Sequence, residues 1–191
     1  MWEAFAVSTG VVALGEIGDK TQLLALLLAA RYRRPLPIIA GILVATLLNH
    51  AGASALGAWL TGIVDPIWMR WVLGLSFLAV AVWMLVPDKA DATDRPSTGQ
   101  LGVFGITAVA FFVAEMGDKT QIATIMLAAK YHALVTVTAG TTLGMMIANV
   151  PAVLLGDKAV TFVPIAWVHR IAALVFAMLG VALLIGAASM G

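Results

Sequence analysis

The chain has 191 residues, of which 62% are hydrophobic and 11% charged, with a net charge of +1 and a mean hydropathy of +1.02. A soluble domain of this length needs far more charge to cover its surface, so the composition excludes one and indicates an integral membrane protein. There is no cysteine, which excludes disulfides and thiolate metal centres.

About 20 apolar residues are needed to cross a bilayer as a helix. Six such runs follow one another: Ala4–Ala30, Pro37–Leu60, Ile67–Val86, Leu101–Ala129, Leu134–Leu155 and Ile165–Ala188. The first lacks a basic leader and a small-residue cleavage site, so it reads as a span rather than a removed signal. Short breaks ("RYRRPL", "TGIVDP", "KYHA", "GDKAVTFVP") separate most of the runs. The one polar linker, "PDKADATDRPSTGQ" at Pro87–Gln100, divides the chain into equal halves. The predicted fold is therefore all-α: a three-helix repeat over residues 1–87, a linker over 88–100 and a second three-helix repeat over 101–191.

The halves are copies. Glu16 matches Glu115, Asp19 matches Asp118, "AARY" at Ala29–Tyr32 matches "AAKY" at Ala128–Tyr131, and Trp68 matches Trp167, all at one offset. Asn49 and Asn149, like Arg70 and Arg170, match after a single insertion. A repeat of three spans enters the membrane upside down in its second copy, the inverted construction of many secondary transporters. With both termini outside, Arg31, Arg33, Arg34, Lys89, Arg95, Lys158 and Arg170 fall inside, against Arg70 and Lys130 outside. That imbalance favours termini on the non-cytoplasmic side of a bacterial-type inner (plasma) membrane. Trp59, Trp68, Trp71, Trp83 and Trp167 fall near span ends and suit interfacial anchoring.

Into this apolar chain one charged cassette is written twice: "GEIGDKTQ" at Gly15–Gln22 and "AEMGDKTQ" at Ala114–Gln121. Glu16 lies about 18 Å along a helix from Ala4, near the middle of a core about 30 Å thick. Inverted insertion brings Glu115 to the same level from the opposite side, and Asn49 and Asn149 are also near mid-depth. On a continuous helix Glu16, Asp19 and Lys20 would share one face. Gly18 and Gly117 permit either close helix packing or a break that frees backbone carbonyls. Pro151 is expected to bend the fifth span.

Glu16, Asp19, Glu115 and Asp118 with Lys20 and Lys119 sum to −2 when ionised, a charge that one divalent cation, or two protons exchanged for it, would neutralise. Carboxylates, the amides of Gln22, Gln121, Asn49 and Asn149, and the hydroxyls of Thr21 and Thr120 form a hard oxygen set suited to Mn²⁺, Ca²⁺ or Mg²⁺. Lys20 and Lys119 would tune the carboxylates or occupy the emptied site. Gln22 and Gln121 suit direct ligation or support of a ligand, and Asn49 and Asn149 ligation or interhelical bonding. His50 has no counterpart in the repeat and reads as a packed or pore-lining residue. The bland alternative is an internal salt-bridge network, Glu16 with Lys20 for example, that only locks helices together.

Two copies of Glu-x-Gly-Asp-Lys-Thr in a six-span chain resemble the Gdt-type cation transporter family, whose members include bacterial manganese exporters and Golgi manganese/calcium transporters. The resemblance implies a transporter rather than an enzyme. It would export Mn²⁺, or Ca²⁺, from the cytoplasm in exchange for protons by alternating access, with Glu16, Asp19, Glu115 and Asp118 holding the ion and Gln22 and Gln121 beside them. The metal is cargo rather than cofactor, no nucleic acid is involved, and an oligomer is allowed but not required. The residues alone leave open a passive cation channel and an exporter of a small organic cation or amino acid.

Overall fold

The computed structural model describes residues 1–86, 102–155 and 165–189, so the linker and the basic residues Lys89, Arg95 and Lys158 lie outside the described residues. Every described element is a helix: α1 Trp2–Glu16, α2 Lys20–Tyr32, α3 Pro35–Leu60, α4 Pro66–Met84, α5 Gly102–Glu115, α6 Lys119–Tyr131, α7 Leu134–Leu155 and α8 Ile165–Ala188. Four stretches, Pro35–Leu60, Pro66–Met84, Leu134–Leu155 and Ala166–Ala188, are long and apolar enough to cross a membrane.

The first and fourth predicted spans are not continuous. α1 stops at Glu16 and α2 starts at Lys20; α5 stops at Glu115 and α6 starts at Lys119. The expected single face carrying Glu16, Asp19 and Lys20 therefore does not exist, because the helix breaks between them. By contrast α7 continues past Pro151, which lies inside the helix.

Sequence explains where the other helices begin. α3 and α4 both open on proline, whose missing N–H is an orphan there anyway. The Asp65 carboxylate caps α4 by accepting from the N–H groups of Ile67 and Trp68. Each helix buries one stripe and leaves the rest apolar. On α1 the stripe is Ala4, Ser8, Val11, Val12 and Gly15, a helical period. The outward faces are also greasy, with Leu48, Leu75, Leu174 and Ile185 at least half exposed, as lipid contact demands.

Glycines set how closely the helices cross. A Cβ at Gly41 on α3 would lie 2.8 Å from the Phe104 carbonyl and 2.8 Å from Thr107 Cβ on α5. At Gly140 on α7 it would lie 2.8 Å from the Phe5 carbonyl and 3.0 Å from Ser8 Cβ on α1. These are the same contacts made by the two copies, each bringing a long helix of one half against the cassette-bearing helix of the other. α4 and α8 cross at Gly74 and Gly180, with the rings of Phe77 and Phe176 beside them, centroids 6.0 Å apart and planes tilted by 43°.

Gly41→Val should lower stability by about 1–3 kcal/mol, the usual cost of overpacking. Thermal melting in detergent checks this; a melting temperature equal to wild type would mean α3 and α5 are further apart than described.

Candidate cation site

Both cassettes fold alike, and the motif states why. Asp19 N–H donates to the Glu16 carbonyl at 3.0 Å, Ile17 sits at φ −64°, ψ 116°, and Gly18 at φ +84°. This is a type II turn, whose third residue needs a positive φ and hence glycine. In the second copy Asp118 N–H donates to the Glu115 carbonyl at 3.1 Å and Gly117 has φ +74°. Asp19 and Asp118 leave the turn extended and stand as the N-caps of α2 and α6. Gln22 and Gln121 then reach back one turn, their amide oxygens accepting from the N–H groups of Gly18 and Gly117 at 2.8 Å. The arrangement is a relative of the capping box, with glutamine at its third helical position.

The turns carry acids from both halves to one place. Glu16, Asp19 and Asp118 are buried and each offers an oxygen, with those oxygens within 4.8 Å of one another. Glu115 lies outside this trio but is linked to it: Thr120 Oγ1 is 3.1 Å from Glu115 Oε2 and 3.3 Å from Asp118 Oδ2. Thr21 Oγ1 donates to Glu16 Oε2. Glu16 Oε1 and Glu115 Oε1 remain buried with no hydrogen-bond partner among the described residues. Buried carboxylate oxygens left over in this way suit an ion.

The lysines cross between halves. Lys20 Nζ lies 2.8 Å from Asp118 Oδ1, and Lys119 Nζ lies 2.6 Å from Asp19 Oδ1. The pairing considered within one cassette, Glu16 with Lys20, is replaced by these crossed pairs, because the break turns Lys20 away from the end of α1.

The amides divide unequally. Gln121 Nε2 donates to Asn49 Oδ1 at 3.0 Å, and Asn49 Nδ2 donates to the Phe112 carbonyl at 2.9 Å. Gln22 Nε2 donates instead to the Ala148 carbonyl at 3.0 Å. α3 and α7 keep the offset that relates Glu16 to Glu115, as the Gly41 and Gly140 contacts require. No insertion intervenes, so Ala148 is the true counterpart of Asn49, and Asn149 stands opposite His50. Asn149 Nδ2 donates to the Met145 carbonyl at 3.1 Å, while its Oδ1 and both His50 ring nitrogens are buried with no hydrogen-bond partner among the described residues. His169 on α8, which the sequence did not single out, places Nε2 2.9 Å from the Ile17 carbonyl, a group released by the first break. Only its polarity within the sixth apolar run could have flagged it.

Comparison with known proteins decides what this arrangement belongs to. The profile of the divalent cation/proton antiporter GDT1 matches residues 4–92 and again 103–191. The chain belongs to the GDT1 family. A Vibrio cholerae protein that carries the provisional name manganese exporter is 51% identical over 178 residues, covering 93% of this chain and 88% of that one. A GDT1-like protein of Synechocystis is 32% identical over 176 residues, covering 82% and 84%. GDT1-like protein 5 of Arabidopsis thaliana is 27% identical, covering 82% and 83%. No solved structure matches. The GDT1 family is a transporter family, and its bacterial relative together with the apolar helices fits a multi-pass inner-membrane protein.

Two outcomes follow for stability. Gly117→Ala should cost about 1–2 kcal/mol although nothing lies within 4 Å of the added methyl, because the strain is in φ. Lys119→Met should destabilise by about 3–5 kcal/mol, since it strands Asp19 in a fully buried pair, and Lys20→Met by less, because it also strands a buried aspartate but its own ammonium is partly open to solvent. Unfolding of the three variants in one detergent tests the ranking; equal losses for the two lysines would contradict the burial described.

Proposed function

We propose that this chain is a secondary active exporter of a divalent cation, Mn²⁺ first and Ca²⁺ second, which it exchanges for protons by alternating access. α1 with α2, and α5 with α6, would each make one broken span, giving six spans with the four continuous helices. Residues 1–87 and 101–191 would then be inverted copies joined by the linker 88–100, with both termini on the non-cytoplasmic side as the arginine and lysine distribution favours.

The observation that carries this reading is the meeting of Glu16 and Asp19 with Asp118 from the other cassette, oxygens within 4.8 Å. An acid cluster of this density, contributed by two halves and placed at two helix breaks, is what an ion seat between repeats requires. Its four carboxylates and two lysines leave −2, enough for one divalent ion or two protons. Each carboxylate can hold either the metal or a proton, and holding one excludes the other. That mutual exclusion is the chemistry of exchange.

In this reading Glu16, Asp19, Glu115 and Asp118 are the ligands, and the hydroxyls of Thr21 and Thr120 orient Glu16 and Glu115. Gln22 and Gln121 are assigned to the breaks, because their amide oxygens already accept from Gly18 and Gly117. Asn49 supports Gln121, and Asn149 keeps a buried amide oxygen with no hydrogen-bond partner among the described residues. Hard oxygen donors without cysteine favour Mn²⁺ or Ca²⁺ over softer metals. Manganese is preferred on the name of the Vibrio cholerae relative.

Proteoliposomes loaded with a manganese-sensitive dye provide the test. Mn²⁺ flux should follow an imposed pH gradient, and Asp19→Asn or Asp118→Asn should reduce it to the level of empty liposomes while the protein stays folded. Flux at normal rates in either variant would overturn the assignment of the ligands. A conductive current without proton coupling would make the protein a channel instead, and Ca²⁺ flux in the absence of Mn²⁺ flux would change the cargo.

A further inference from the structure

The cassette helices α2 and α6 match in length and motif but not in surroundings. α2 is buried at Thr21, Gln22, Ala25 and Leu28, while α6 is buried also at Met126, Ala128 and Ala129. At one matched position Leu27 is 58% exposed and Met126 only 3%. The Lys20 side chain is 34% exposed and that of Lys119 is fully buried. A leucine can face lipid, but an ammonium exposed near mid-depth requires water. Among the described residues, then, Lys20 is reachable from outside the protein and Lys119 is not.

The closed side has a visible cause. α6 lies so near α3 that a Cβ at Gly57 would meet the Ile125 carbonyl at 2.2 Å and Ala128 Cβ at 3.0 Å. α6 also packs against α4, whereas α2 makes no comparable contact with α8 among the described residues.

We propose that Lys20 is a tethered cation, seated on Asp118 from the open side, which the arriving metal must displace, while Lys119 stays locked on Asp19 behind a seal formed at Gly57. The proposal rests on reading the cassettes as the ion seat. A seated ammonium lowers apparent metal affinity by the fraction of time it is present. It also keeps Asp118 paired when no metal is bound, which lowers the cost of turning the emptied site around. In the opposite-facing state the two lysines exchange roles.

The native protein in lipid nanodiscs allows the test without disturbing either pair. A water-soluble amine-acylating reagent is applied, and modification of each lysine is followed by peptide mass spectrometry. Lys20 should react at least about tenfold faster than Lys119, which is reachable only through an opening motion. Saturating Mn²⁺ should raise the Lys20 rate further as its ammonium leaves Asp118. Gly57→Ala should bring Lys119 within reach of the reagent. Equal rates for the two lysines, a Lys20 rate unchanged or lowered by bound Mn²⁺, or a Lys119 that stays silent in Gly57→Ala overturns the proposal. Calorimetric titration of the same sample with Mn²⁺ separates the failures. If no Mn²⁺ binds, the seat itself is wrongly assigned, and the ratio of lysine rates still decides the sidedness.

Discussion

Ionised side chains cost several kcal/mol each when taken out of water, and a carboxylate left alone in the low-dielectric interior is the costliest case. Glu16, Glu115, Asp19 and Asp118 are all buried here, and the only described cations among them are the ammonium groups of Lys20 and Lys119. Crossing those lysines between halves places a positive charge on each aspartate and binds the halves to each other through the same contacts. The glycine-mediated approaches of α3 to α5 and of α7 to α1 then bring the cassettes within reach. Local turn, helix packing and charge pairing are consistent with one another, which is how a sequence specifies a single arrangement.

Breaking the helices is what makes the centre chemically useful. An unbroken helix would present only side chains at mid-depth, with every backbone group already bonded. The type II turns at Glu16–Asp19 and Glu115–Asp118 expose carbonyls such as that of Ile17, and bring the positive N-terminal ends of α2 and α6 to the acid cluster. Those ends stabilise negative charge, with an aspartate at the cap of each. Three of the freed groups are bonded within the protein: the N–H groups of Gly18 and Gly117 to Gln22 and Gln121, and the Ile17 carbonyl to His169.

Much of this was legible in the sequence. The apolar runs, the duplication and the convergence of two charged cassettes follow from spacing alone. The breaks were only half legible: Gly18 and Gly117 allowed them, but a glycine in an apolar run is equally compatible with close packing. Reading Gly-Asp-x-x-Gln as a turn followed by a helix cap would have decided it, since Gln22 and Gln121 sit where a capping residue belongs. Matching Asn49 to Asn149 failed because an identical residue type outweighed helical register. Gly41 and Gly140 fix that register, and it pairs Asn149 with His50. The contrast between Lys20 and Lys119 could not be read at all, because nearly identical cassettes carry no information about which one a given conformation opens.

The crossed pairs have a further consequence for how such a molecule assembles. Each half supplies a lysine whose aspartate belongs to the other half, so neither half is electrically complete by itself. Until the second half is made, Asp19 and Lys20 lack the partners they have in the folded protein. Halves made as separate polypeptides would be driven to associate by the same mismatch.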